Sequence, residues 1–249
     1  MIVDFYGITE KFYDMWLGGG AVLSGCEGVK FIYSAERNVK QYGYPAIFDV
    51  FALATEKGMI VTYGDRAAGR IDMLENELGG RCGVNGLKAV LEKIYGKKPA
   101  HSVKFVYDCL PDMPTTARAL RADDIDAYVE FFRAAHPGGK VDWIYEYFDE
   151  MAADGTTFGV FADGRLVSCA DAPGMPYMND EVQEIGIATL AEYRGRGYGL
   201  DACVTAARAH IENGKCPIWS AAWDNVASHG LAEKVGFRKY ADAVMLSLE

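Results

Sequence analysis

Residues 192–201, Glu-Tyr-Arg-Gly-Arg-Gly-Tyr-Gly-Leu-Asp, constrain this chain more than any other stretch. Three glycines at alternate positions strip the Cβ atoms from a turn that follows an apolar run, Val182 to Thr189, and opens a helical pattern. Behind the turn Leu200, Cys203, Val204, Ala207 and Ile211 recur at i, i+3, i+4, i+7 and i+11, one stripe that docks the helix on a sheet and holds its first turn still. Asn213-Gly214 supplies the stop. Bare backbone amides at the positive end of a helix, with Arg194 and Arg196 beside them, form a cradle for an anion.

Three phosphate-binding patterns compete for the turn. A Walker loop needs Lys-Ser or Lys-Thr after its last glycine, and neither is present. A dinucleotide fingerprint needs G-x-G-x-x-G and an acidic residue about 20 positions on. Here the spacing is G-x-G-x-G and the corresponding residue is Pro217. The third pattern, [QR]-x-x-G-x-[GA], is matched by Arg194-Gly-Arg-Gly-Tyr-Gly199.

The rest of the chain sets the frame. With 249 residues, half of them hydrophobic, it is long enough for one large domain or two ordinary ones, and a globular soluble protein is expected. Met1-Ile2-Val3-Asp4-Phe5-Tyr6 carries no export pattern and no segment approaches the roughly 20 apolar residues of a membrane span, so a cytoplasmic location is expected. Six cysteines (Cys26, Cys82, Cys109, Cys169, Cys203 and Cys216) form no C-x-x-C pair, which points to reduced, mostly buried thiols and no metal site.

Net charge is −10, which argues against a general nucleic-acid binder. The acidity is uneven: residues 1–110 hold 13 acidic and 13 basic side chains, whereas residues 111–249 hold 22 and 12. The glycine turn is therefore a locally basic spot on an acidic half. An anion bound there and a cation elsewhere is one reading; carboxylates serving solubility alone is the other.

Leu110-Pro-Asp-Met-Pro-Thr-Thr reads as a linker, dividing a 1–110 α/β domain from a second domain at 115–249. In the first, strands are expected at Val29–Tyr33, Met59–Tyr63 and Ser102–Tyr107, with helices over Arg66–Leu78 and Asn85–Tyr95. His101 reads as a surface residue. In the second, a short strand at Ala117–Leu120 precedes helices from Asp123 to Phe132 and Trp143 to Ala153. Strands at Thr157–Ala162 and Arg165–Ala170 join through Asp163-Gly164, a hairpin signal. A strand Val182–Thr189, the turn, a helix from about Gly199 to Glu212, a strand Ile218–Trp223, a helix Val226–Val235 and a strand Ala241–Leu248 follow.

Two segments of this second half resemble the GNAT superfamily of acyl-CoA-dependent N-acyltransferases. Glu184-Ile-Gly-Ile-Ala-Thr-Leu-Ala-Glu-Tyr-Arg-Gly-Arg-Gly-Tyr-Gly199 looks like that family's strand, pyrophosphate loop and helix start. Asn225-x-x-Ser-x-x-Leu-x-x-Lys-x-Gly-Phe237, preceded by Pro217-Ile-Trp219, is similar to its second cofactor-side helix and the strand after it, and also to a bacterial subgroup that includes antibiotic-resistance acetyltransferases with an extra N-terminal segment. The resemblance implies an α+β fold: a twisted mixed sheet with helices on both faces, preceded by a smaller α/β domain. It implies acetyl-CoA as co-substrate and no metal. Ile187, Ala188 and Thr189 match the strand that splays from its neighbour and bonds the pantetheine arm. The amides of Gly195, Arg196, Gly197, Tyr198, Gly199 and Leu200 match the pyrophosphate site, with Arg194 or Arg196 adding charge. Asn225 matches a pantetheine contact and is equally a helix N-cap. Tyr198 reads as packing beside the loop.

The implied reaction is attack of an amine on a thioester. An alkylammonium has a pKa of about 10, so a base is needed, and Glu184, with Glu181 behind it, is the matching carboxylate. Its alternation with Ile185 and Ile187 shows only that it faces the other side of the sheet. The backbone N–H of Ile187 or Ala188 is placed to meet the oxyanion. One departure stands out: the family's thiolate-protonating tyrosine is Ala232 here. Tyr240 is a substitute, or none is required, since a thiol of pKa about 8.5 is a tolerable leaving group. His229 reads as a helix-surface residue. A small cationic amine, such as a polyamine, an aminoglycoside-like compound or a basic metabolite, suits the acidic half. Phe12, Tyr13 and Trp16 suit a wall of its cleft and a core equally. A non-catalytic acyl-CoA-binding module and a protein or peptide N-acetyltransferase are the other readings, and the oligomeric state is not specified.

Overall fold

The computed structural model describes residues 4–20, 23–44, 46–80, 83–172 and 174–249. Met1 to Val3 and Cys82 lie outside the described residues. Of the remaining cysteines, all unpaired, Cys26, Cys169, Cys203 and Cys216 are buried and Cys109 is exposed.

The chain opens with α1 (Phe5–Trp16), whose N-cap Asp4 accepts from the Gly7 amide at 2.9 Å. Then come β1 (Gly28–Tyr33), β2 (Val50–Ala54), β3 (Gly58–Tyr63), α2 (Asp65–Ala68), α3 (Ile71–Leu78), α4 (Val84–Tyr95) and β4 (Ala100–Tyr107). The single helix expected over Arg66–Leu78 is two, broken at Gly69-Arg70. After a coil at 108–117 follow β5 (Arg118–Ala119), α5 (Ile125–Ala135), α6 (Ile144–Asp154), β6 (Phe158–Ala162), β7 (Arg165–Asp171), β8 (Val182–Glu184) and β9 (Gly186–Thr189). The last elements are α7 (Tyr198–Glu212), β10 (Cys216–Ala222), α8 (Val226–Val235) and β11 (Phe237–Leu246).

The strands form a seven-stranded sheet, in the order β1-β3-β2-β11-β4-β10-β8, and a four-stranded sheet β5-β6-β7-β9. The proline-rich linker falls in coil, as expected, but it is not the only tie between the two halves. β11 pairs antiparallel with β2 on one side and β4 on the other, and β4 pairs with β10, so the large sheet runs through both halves of the chain. The linker itself is held on α7: Asp201 accepts from the amides of Thr116 and Ala117 at 2.9 Å, and Arg208 donates to the Met113 carbonyl at 3.2 Å.

Strand alternation sorts the side chains between faces. Phe51, Leu53, Ile60, Ile218 and Ala243 pack under α1, while Val103, Phe105, Trp219 and Ala221 on the other face pack with the inner residues of α7 and α8. Farther along that second face Val50, Ala52, Met59 and Val61 meet Leu74 of α3 and Leu87 of α4. α5 and α6 cover the small sheet through Tyr128, Phe131 and Phe148. Helices on both faces of a mixed sheet are the architecture expected from the resemblance.

Candidate active site

The strand expected over Val182–Thr189 is two strands in two sheets. β8 runs parallel to β10 with Val182, Gln183 and Glu184 opposite Cys216, Pro217 and Ile218, and the ladder ends where Ile185 donates to the Ile218 carbonyl at 2.9 Å. From Gly186 the chain leaves β10 and pairs with β7 instead. The facing edges of β9 and the far half of β10 are therefore open to each other, a wedge between two parallel strands.

The ladder phase decides which groups line the wedge. Leu190 donates to Val167 at 3.0 Å, and in an antiparallel pair every second residue points its N–H and C=O the same way. Ala188, two residues earlier and opposite Cys169, thus turns its backbone toward β7, and Ile187 and Thr189 turn theirs into the wedge. Of the two amides considered for the oxyanion, the open one is that of Ile187.

The glycine turn closes the upper end. Gly195 and Gly197 have φ of +76° and +87°, left-handed values that favour glycine, with nothing within 4 Å of where a Cβ would stand. Gly199 serves differently: a Cβ there would meet Thr189 Oγ1 at 3.2 Å, so its bareness lets α7 approach β9. Gly197 is the N-cap and no side chain caps the helix, leaving the first amides of α7 open, as anion binding requires. Arg194 spends its Nε on the Thr189 carbonyl at 3.0 Å, and Arg196 lies 5.2 Å from the Tyr193 ring centroid. Tyr198 packs beside the loop, 6.2 Å from Tyr193.

Across the wedge Asn225 is the N-cap of α8, its Oδ1 accepting from the Ser228 amide at 3.1 Å. The Ser228 hydroxyl accepts from Trp219 Nε1 at 3.1 Å, so the N-x-x-S spacing joins helix to strand. Ala232 is fully buried between α7, α8 and the sheet. Tyr240 does not take its place: it is the extra residue of a bulge in β11, on the opposite face, stacked on Tyr13 at 5.5 Å, with its buried hydroxyl unbonded.

Below the wedge lies a cavity of about 260 Å³ between the sheet and α1. Phe12, Tyr13 and Trp16 form one wall, so of the two readings of these aromatics the cleft is realised together with the core. Tyr44, Phe48 and Phe51 continue it. Glu184 and Lys104 bring charge. The carboxylate accepts from Ser220 Oγ at 2.5 Å; Ser220 is the cross-strand partner of Lys104, which puts all three groups on one sheet face. Burial, then the negative charge of Glu184, pushes the Tyr13 phenol well above its ordinary pKa, and Tyr44 follows for the same two reasons. Glu181, in contrast, is exposed and paired with Lys11 at 2.9 Å, which fastens α1 rather than lining the cavity.

Sequence reasoning passed over three groups. Lys104 lies within an alternating strand, where its parity with Ser220 carries the signal. Asp171 ends β7 opposite Gly186, accepts from Tyr128 at 3.0 Å, and has its carboxyl pKa raised by burial. His101 is no surface residue: Nε2 meets Asp242 at 2.9 Å and the ring stacks on Trp223 at 5.7 Å. His229, beside it in a recess of about 290 Å³, finds a partner in the Ala222 carbonyl at 3.0 Å. Among the described residues no His, Cys, Asp or Glu cluster could hold a metal ion, and no helix is long and apolar enough to cross a membrane.

A mixed sheet split at one strand, with a glycine-capped helix above the split and a carboxylate below it, is the arrangement that the sequence resemblance implies. The family model described as GNAT acetyltransferase matches residues 141–242. Among solved structures, a GNAT-family acetyltransferase from Colwellia psychrerythraea is similar with a TM-score of 0.53 at 17% identity, over 66% of this chain and 62% of that one. A GCN5-related N-acetyltransferase from Sphaerobacter thermophilus gives 0.54 at 16%, over 68% and 58%. Each match spans less than two thirds of the relative's own length. An aminoglycoside N-acetyltransferase in complex with CoA gives 0.43 at 20%, over 52% of this chain and 92% of that one. No curated protein matches the chain.

Proposed function

We propose that this protein transfers the acetyl group of acetyl-CoA to the primary amine of a small molecule that arrives as an ammonium ion. The observation that carries the reading is the position of Glu184, at the foot of the β8/β10 wedge and in the wall of a small aromatic cavity. The open amides at the start of α7 would hold the pyrophosphate. The inward backbone of Ile187 and Thr189 would hold the pantetheine arm, with the free amide end of Asn225 beside it. Glu184, fixed by Ser220, would take the ammonium proton so that the nitrogen can attack the thioester carbonyl. The Ile187 N–H would receive the oxyanion as it forms. With Ala232 in the usual tyrosine position, the thiolate would leave without a tyrosine donor. Unpaired cysteines agree with a cytoplasmic setting.

Calorimetric titration with acetyl-CoA and CoA, on the protein and on Gly197→Trp, tests the cofactor half of this reading. Micromolar binding that the substitution weakens at least about tenfold is expected, because tryptophan at a φ of +87° strains the turn and covers its amides. A small-amine panel run beside a peptide panel then tests the acceptor. Acetyl-CoA binding without turnover of either panel would favour a non-catalytic module, and turnover of peptides alone would favour a protein acetyltransferase.

A further inference from the structure

Lys104 is an unusual residue to find in the middle of a sheet. It lies on β4 between β11 and β10, is 7% exposed, and lines the cavity. An ammonium carries three donors and no acceptor, and burying one without partners is costly. Lys104 nevertheless makes no hydrogen bond and no ion pair within 4 Å among the described residues. Burial lowers the Lys104 pKa, and Glu184, whose negative charge opposes that shift, is engaged by Ser220 and forms no pair with Lys104. Among the described residues a structural salt bridge is thus absent, and the side chain lines a cavity in which a partner can sit.

The remaining lining narrows that partner. Apart from Glu184 and Lys104 the walls are aromatic, aliphatic or thioether side chains, tyrosine hydroxyls and backbone. The cavity holds one carboxylate and one ammonium, so it is not the anionic pocket that the charge of the whole second half suggests. At about 260 Å³ it is smaller than the roughly 300–1,000 Å³ of clefts for drug-sized ligands, which excludes a polycation of several rings from lying wholly inside.

We propose that the acceptor is amphoteric: its amine meets Glu184, an acidic oxygen group on the same molecule is received by Lys104, and an aromatic or apolar body fills the space against Phe12, Trp16 and Phe48. Free aromatic α-amino acids have this chemistry and are the probes of choice. The inference deepens the acetyltransferase reading and rests on it for the chemistry, but the recognition it describes is measurable without turnover.

The test pairs phenylalanine with phenethylamine and tryptophan with tryptamine, so that each pair differs only in the carboxylate. Binding is read by calorimetry on the full chain with CoA present, and turnover is read separately as kcat/KM. Lys104→Met is the diagnostic variant and Lys104→Arg the conservative one; replacing a buried ammonium with methionine should not unfold the sheet, which thermal unfolding checks. The wild type should bind the carboxylate-bearing member at least about tenfold more tightly. Lys104→Met should lose that preference by weakening the acid alone, and Lys104→Arg should keep part of it. Equal affinity within each pair, preference for the decarboxylated amine, an equal loss on both in Lys104→Met, or no binding of either member would overturn the proposal. Carboxylate-selective binding without acetyl transfer would leave the recognition standing and remove the acetyltransferase reading.

Discussion

The glycine turn and the aromatic cavity flank one strand and are built by opposite means. The turn is ten consecutive residues whose work is done by backbone: two left-handed glycines, one glycine that lets helix and strand approach, and a row of uncapped amides. The cavity is built mainly of side chains, gathered from α1, the segment before β2, β2 itself, β4, the segment before β8, β8, β10 and β11. Under the proposed function, a backbone cradle would recognise what every acyl-CoA shares, and scattered side chains would recognise what distinguishes one amine from another.

The comparison is most sharply tested at the point where the two regions meet. Glu184→Gln keeps the size and hydrogen bonding of the side chain but not its basicity. It should lower kcat by about 10²–10⁴-fold, the usual worth of a positioned base, while the acetyl-CoA dissociation constant stays within about twofold. A loss of acetyl-CoA binding instead would show that Glu184 belongs to the cofactor side and undo the division.

The helix that presents the glycine turn should also make the fold sensitive to acid. His210, on the helix that presents the turn, is 2% exposed and packs against Phe158 at 5.9 Å with its Nε2 unbonded. Burial, with a smaller contribution from Lys215, lowers its pKa from 6.5 to about 4. The unfolded chain thus binds this proton more readily. About 3 kcal/mol of stability is present in full above pH 6.5, is lost progressively as pH falls from 6.5 to the folded value near 4, and falls no further below it. Denaturant unfolding of the protein and of His210→Leu, measured between pH 7 and 4, should show a loss in the parent that the variant lacks. Parallel pH profiles would contradict it.

The smallest effect is expected from filling the cavity. Phe48→Trp places a larger ring on the aromatic wall beside Trp16 and Tyr44, and should raise the acceptor KM about tenfold with little change in kcat or in acetyl-CoA affinity. An equal fall in acetyl-CoA affinity would mean that the two regions do not bind independently.

Legibility in the sequence follows the same division. The turn, the Asp163-Gly164 hairpin, α4 and α8 were readable because each is written in neighbouring residues: left-handed positions, caps and apolar stripes. α1 was missed although Asp4 and the Phe5-Ile8-Phe12 spacing announce it, and β2, five buried apolar residues in a row, has no alternation to betray it. The apolar period of Arg66–Leu78 continues past the break at Gly69 and so predicts one helix where the structure has two.

By itself the sequence determined the α and β composition, the position of the anion cradle and the side of the sheet on which Glu184 stands, since dihedral preference and strand parity are local properties. Only the tertiary structure decided that one expected strand belongs to two sheets, that β4 enters the sheet between β10 and β11, and that Lys104, Glu184 and Trp16 share one cavity. Those outcomes depend on which strands pair across the length of the chain. Such pairings are set by the burial they achieve together, a quantity that no single stretch of residues contains.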